Sequence, residues 1–155
     1  MTWLEGTALA TWTRESPSLW AYPAILTLHT IGLGIVVGAS AVIDFRLLGY
    51  APRIRIPSLS PLFRIIMFAF LLNAVTGCIL FLSDATTKSK QPVFYIKLTL
   101  IGLALWNTVV VRRLILSNPE HVASGAVPSR YKRLAVLSLV LWAGAITAGR
   151  LMAYL

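Results

Sequence analysis

The chain has 155 residues, of which 57% are hydrophobic and only 12% charged, with a net charge of +9. The length suits a single domain covering 1–155, but a soluble domain has about a quarter of its residues charged, so this composition excludes a soluble enzyme. The basic residues fall between apolar runs and no nucleic-acid motif is present, so the expected partner of the positive charge is the bilayer and not a nucleic acid.

The N-terminal stretch MTWLEGTALATWTRES lacks the basic start and apolar core of a signal peptide, so the first membrane helix is expected to be retained and to act as the insertion signal. Within the stretch, Trp3, Leu4, Ala8, Leu9 and Trp12 recur at near-helical spacing. That pattern predicts a short helix lying on the membrane surface with its tryptophans among the headgroups.

Four apolar runs are then long enough to cross a hydrocarbon core, which takes about 20 residues. They are Trp20 to Leu48, Pro61 to Ser83, Pro92 to Leu116 and Tyr131 to Leu155. Backbone polar groups in lipid must be satisfied within the segment, so all four are predicted to be helices. The expected fold is an all-α membrane protein, a four-transmembrane-helix bundle with a short N-terminal interfacial helix. Arg46, Arg53, Arg55, Arg64, Arg112, Arg113, Arg130, Lys132 and Arg133 collect on one side. The positive-inside rule therefore places the 49–60 and 117–130 loops in the cytoplasm of a bacterial inner membrane, with both termini outside.

Within the first span, His29 lies about 13 Å from its outer end at 1.5 Å per residue. An ionisable side chain at that depth is a candidate functional residue. Gly32, Val36 and Ser40 lie near its face, whereas Gly34, Gly38 and Ala41 form the opposite face, which reads as a helix-packing seam. The alternative for His29 is a neutral imidazole hydrogen-bonded to Asn73, Thr76 or a backbone carbonyl. Asp44 and Arg46 stand at the cytoplasmic end of this span, where an ion pair between them, or from Asp44 to Arg112 or Arg113, is expected.

In the second span, Ala69, Asn73, Thr76 and Gly77 form one stripe at helical spacing, and in the third Asn107 adds another amide. Both amides suit interhelical hydrogen bonds. Lys97 lies a turn inside the outer end of the third span, and Arg150 lies near the outer end of the fourth. They either snorkel to the outer headgroups or stand at the rim of a pocket, where they would pair with anionic ligand groups such as haem propionates. Gly144, Ala145, Ala148 and Gly149 read as close packing in the fourth span. His121 falls in a polar loop and is expected to be exposed. Cys78 has no second cysteine to pair with.

The run YPAILTLHTIGLGIVVGASAVIDFRLLG, with TGCILFLSDA and QPVFYIKLTLIGLALWN later in the chain, resembles a family of small, uncharacterised bacterial four-helix inner-membrane proteins, a domain of unknown function. The resemblance covers most of the chain and implies the fold rather than an activity. A weaker likeness is to the bacterial membrane protoporphyrinogen oxidases, four-helix proteins associated with haem b, and to membrane proteins of the copper-resistance D type. His29 and Lys97 occupy comparable positions by helix order, although the surrounding motifs differ and the histidines for a two-haem cytochrome are missing.

The leading functional expectation is therefore a haem-b-binding inner-membrane protein engaged in electron transfer or a porphyrin-linked redox step. His29 would be the axial ligand of the haem iron, with Lys97, Arg150 and Asn73 as the other cofactor-binding residues. The alternatives are a structural subunit or a small-molecule or ion permeation module, and then copper handling, for which one chain offers few soft or imidazole ligands. A homo-oligomer built through the Gly34 and Gly38 face is the expected assembly.

Overall fold

A computed structural model describes residues 2–15, 20–50, 52–117, 127–152 and 154. Among them there is no strand. The elements are α1 (Thr2–Glu5), α2 (Ala8–Glu15), α3 (Ala21–Leu48), a 3-10 turn (Ile56–Leu59), α4 (Ser60–Leu82), α5 (Ala85–Lys90), α6 (Pro92–Ser117) and α7 (Ser129–Leu151). Helices α3, α4, α6 and α7 are each long and apolar enough to cross a bilayer. The protein is thus a multi-pass membrane protein with a four-helix bundle.

Local sequence explains where the spans begin and stop. Pro23 falls in the first turn of α3, where its missing N–H has no partner to lose. At the other end Gly49 adopts φ +101° and donates to the Arg46 carbonyl, while the Tyr50 N–H reaches Phe45 at 3.0 Å. This is the Schellman ending, and the Phe45 and Tyr50 rings make its usual apolar clasp at 6.1 Å. Pro61 opens the first turn of α4, and Pro128 immediately precedes α7.

The helices do not pack in sequence order. α4 lies on α3, α3 on α7, and α7 on α6, so α4 and α6 are the outer members of the group. The α3–α4 seam closes at Gly32, where a Cβ would lie 3.2 Å from the Ala69 carbonyl oxygen and 3.3 Å from Asn73. Gly32, Val36, Ser40 and Ile43 form the buried face of α3. Gly34 and Gly38 are turned outward with nothing near them, so the packing seam expected there is not the one used within the chain.

Asn107 donates to the Leu134 carbonyl at 2.9 Å and Tyr131 to the Leu114 carbonyl at 3.1 Å, fastening α6 to α7. Large apolar side chains such as Phe68 and Trp106 stay exposed around the bundle, as expected for a surface solvated by lipid chains.

The N-terminal stretch forms two helices, broken at Gly6 and Thr7, in place of one. They pack against α3, α4 and α5 at the end of the bundle that carries the α4–α6 connection. Trp3, Trp12 and Trp20 are exposed, and Ala10 and Thr13 turn inward. The side chains of Leu4 and Leu9 lie outside the described residues, as does His121.

Candidate functional site

At this end of the bundle the outer positions of α4 and α6 leave a space that α3 and α7 floor. The result is a cavity of about 870 Å³, within the roughly 300–1,000 Å³ range of small-molecule and cofactor sites. Phe81 of α4 and Phe94 of α6 stack across the gap, centroids 5.0 Å apart and planes 12° from parallel. Glu5 and Thr13, from α1 and α2, line the cavity from above. Glu5 also accepts the Thr86 N–H at 2.7 Å, which ties α1 to α5.

His29 projects into this cavity from α3. Its Nδ1 lies 3.0 Å from the Asn73 backbone oxygen and 3.1 Å from Thr76 Oγ1. A carbonyl oxygen can only accept, so Nδ1 carries the proton. Thr76 can then accept as well, because its own hydroxyl hydrogen is directed to the Leu72 carbonyl at 2.7 Å or to the Asn73 carbonyl at 3.1 Å. With Nδ1 protonated, Nε2 of the neutral ring bears the lone pair, and no described residue hydrogen-bonds it.

The clamp is reciprocal, since Asn73 Nδ2 donates to the His29 backbone oxygen at 2.7 Å. Gly77 leaves room for the ring: a Cβ there would be 3.0 Å from His29 Cε1. The stripe Asn73, Thr76 and Gly77 on α4 is therefore the socket of the imidazole. A donated Nδ1–H to a backbone carbonyl is also how metal-ligating histidines are commonly oriented, with Nε2 presented to the metal.

Lys97 lines the same cavity from α6. Its stem lies over Gly149 of α7, where a Cβ would be 3.3 Å from Cε and 3.5 Å from Nζ. One role of the small residues of α7 is thus to seat this lysine. Arg150, the next residue, does not line the cavity. It is exposed, with its guanidinium 5.7 Å from the centre of the Tyr154 ring. The structure brings His29, Asn73 and Lys97 together and leaves Arg150 aside, because a step of one residue along a helix turns a side chain by about 100°.

The second cavity cation is Lys88, on the short helix α5. It donates to the Leu80 carbonyl at 2.6 Å. Burial pushes its ammonium below the usual lysine range, and the neighbouring Asp84 carboxylate partly offsets this. Nothing in the sequence singles out Lys88: it sits in a short polar connection among several hydroxyl and basic residues, and it lines the cavity because α5 places it there.

Among the described residues, no group of three or more His, Cys, Asp or Glu side chains could hold a metal ion. A metal at His29 must therefore arrive with donors of its own. Comparison with family models, with curated proteins and with solved structures finds no match to this chain.

Proposed function

We propose that the protein is a haem-b-binding component of a bacterial inner membrane, acting in electron transfer or a porphyrin-linked redox step. The observation that carries this reading is His29, with Nδ1 fixed on the Asn73 carbonyl at 3.0 Å and Nε2 left as the lone-pair donor on a cavity of about 870 Å³. A macrocycle supplies the four nitrogen donors that this chain does not have, so one imidazole suffices on the protein side. Apolar walls from Leu26, Leu80 and Phe94 suit a porphyrin face. Lys97 and Lys88 are the cations placed to pair with its propionates.

In this reading the chain's own residues have separate tasks. Asn73 and Thr76 hold the imidazole tautomer and its plane, Gly77 admits the ring, and the two lysines would hold the anionic groups of the ligand. The haem supplies the one-electron chemistry when bound. The cluster of exposed basic residues at the opposite end of the bundle supports a cytoplasmic location for that end, and hence both termini in the periplasm. The outward face at Gly34 and Gly38 supports self-association through close helix packing.

A titration of detergent-purified protein with haemin tests the proposal. Saturation at one haem per chain with a sharpened Soret band is expected. Absence of a saturable band would sink it and favour the second reading, a structural or permeation subunit assembled through the Gly34 and Gly38 face.

A further inference from the structure

Towards the other end of the bundle lies a second polar cluster, apart from the His29 cavity. Asp44 of α3 is 3% exposed, and its Oδ2 has no hydrogen-bond partner among the described residues. Ser40, one turn earlier on the same face, is also 3% exposed, and its hydroxyl is likewise without a partner. Ser138 of α7 faces Asp44 from across the helix seam, the two lining the same small cavity. The three side chains share a cavity of about 10 Å³ with Asn107 and Thr108 of α6, whose amide and hydroxyl protons go to the Leu134 and Ala104 carbonyls, and with Ile43, Phe63 and Ile66 among its apolar walls. That space suits one object the size of a water molecule.

The ion pair expected of Asp44 is not formed. Arg46 points its Nε at the Ile54 carbonyl, and Arg112 and Arg113 are exposed on the far surface of α6. Residues two apart on a helix face different ways, so Arg46 turns to the following loop and Asp44 to α7. A carboxylate buried among apolar side chains is strongly disfavoured unless its charge is neutralised.

Three kinds of occupant have different consequences. A water would satisfy hydrogen bonds but leave the charge. A proton would cancel the charge but leave the Ser40 hydroxyl and the space unfilled. A cation held by oxygens meets both demands with a single occupant, which a proton does only together with a water. Divalent calcium takes six to eight oxygens and commonly several carboxylates, whereas one carboxylate with two hydroxyls balances a single positive charge.

We propose that Ser40, Asp44 and Ser138 form a binding site for one dehydrated monovalent cation of about the size of sodium, set between α3 and α7. The site does not depend on haem at His29, since the two clusters share no residue.

The test is thermal unfolding of the detergent-purified protein at mildly alkaline pH, in NaCl, KCl or choline chloride of equal ionic strength. Sodium at tenfold above its dissociation constant is expected to raise Tm by about 3–5 °C over choline, with a smaller rise in potassium. Asp44→Asn and Ser40→Ala are expected to abolish the sodium-specific rise. Equal Tm in the three salts, or a rise that survives both substitutions, would overturn the proposal. Should Asp44→Asn fail to fold, Ser40→Ala, which removes only an unpartnered hydroxyl, carries the comparison. Equilibrium dialysis of the wild type against radioactive sodium is an independent check: saturable binding of one ion per chain is expected, and none would refute the site.

Discussion

Gly77→Ala is the most direct perturbation of the imidazole socket that leaves every polar group in place. The added methyl would lie 3.0 Å from His29 Cε1 and 3.5 Å from Nδ1, so the ring has to retreat by several tenths of an ångström. The Nδ1 to Asn73 bond already spans 3.0 Å, and the same displacement takes it towards the limit of a useful hydrogen bond. Losing that bond costs about 0.5–1.5 kcal/mol, and an off-rotamer imidazole adds about as much. The gain in helix propensity from glycine to alanine returns about 1 kcal/mol. The net expectation is a loss of about 0–2 kcal/mol in stability and, on the proposed haem reading, a weakening of haem binding by about tenfold for each 1.4 kcal/mol that the misplaced Nε2 forfeits.

Gly34→Ala is the control, because nothing lies within 4 Å of its Cβ position. It is expected to be neutral or stabilising in the isolated chain. Denaturant midpoints in detergent and the chemical shift of the His29 Nδ1 proton read the two variants. Equal stability of the two, with an unmoved Nδ1–H resonance in Gly77→Ala, would refute the socket.

Two further outcomes follow from single positions. Gly49→Ala forces a β-carbon onto a residue at φ +101°, which costs about 1–3 kcal/mol; a midpoint indistinguishable from wild type in denaturant unfolding would contradict the Schellman ending. Lys88 has a folded pKa lowered by burial, so between that value and the unfolded value of about 10.4 the unfolded chain binds more protons than the native one. Stability contributed by this group therefore rises with pH through that window, the reverse of a lysine held in an ion pair. Lys88→Gln is expected to reduce the slope of denaturant midpoint against pH, and an unchanged slope would remove Lys88 from the buried wall.

Composition and run length alone gave the four spans to within a few residues, because the bilayer demands long uninterrupted apolar helices. The run from Trp20 to Leu48 is α3 starting one residue later, and the run from Pro61 to Ser83 is α4 displaced by one residue at each end. What was not legible is which face of each span turns inward. Lipid and protein interior are equally apolar, so hydrophobic periodicity carries little information here. Gly34 and Gly38 looked like a seam, yet Gly32 is where α3 and α4 meet. Polar residues are the better guide: the sequence pairs His29 with Asn73, Thr76 or a carbonyl, and it uses the Asn73 carbonyl and the Thr76 hydroxyl. Charge proved less reliable. Cost alone suggests an arginine partner for Asp44, depth alone groups Arg150 with Lys97, and Lys88 reads as an ordinary loop residue. All three depend on helix rotation or on a short helix folding back, neither of which spacing along the chain records.

On the proposed function, His29 presents Nε2 to a haem iron. The most direct measurement is the visible spectrum of purified protein after haem loading, oxidised and then dithionite-reduced, for wild type, His29→Ala and His29→Gly with added imidazole. The expected result is a Soret band with reduced α and β bands in the wild type, their loss in His29→Ala, and their return when imidazole fills the gap in His29→Gly. A colourless wild type, or a spectrum unchanged in His29→Ala, would contradict the assignment and leave His29 as a hydrogen-bonding residue between α3 and α4.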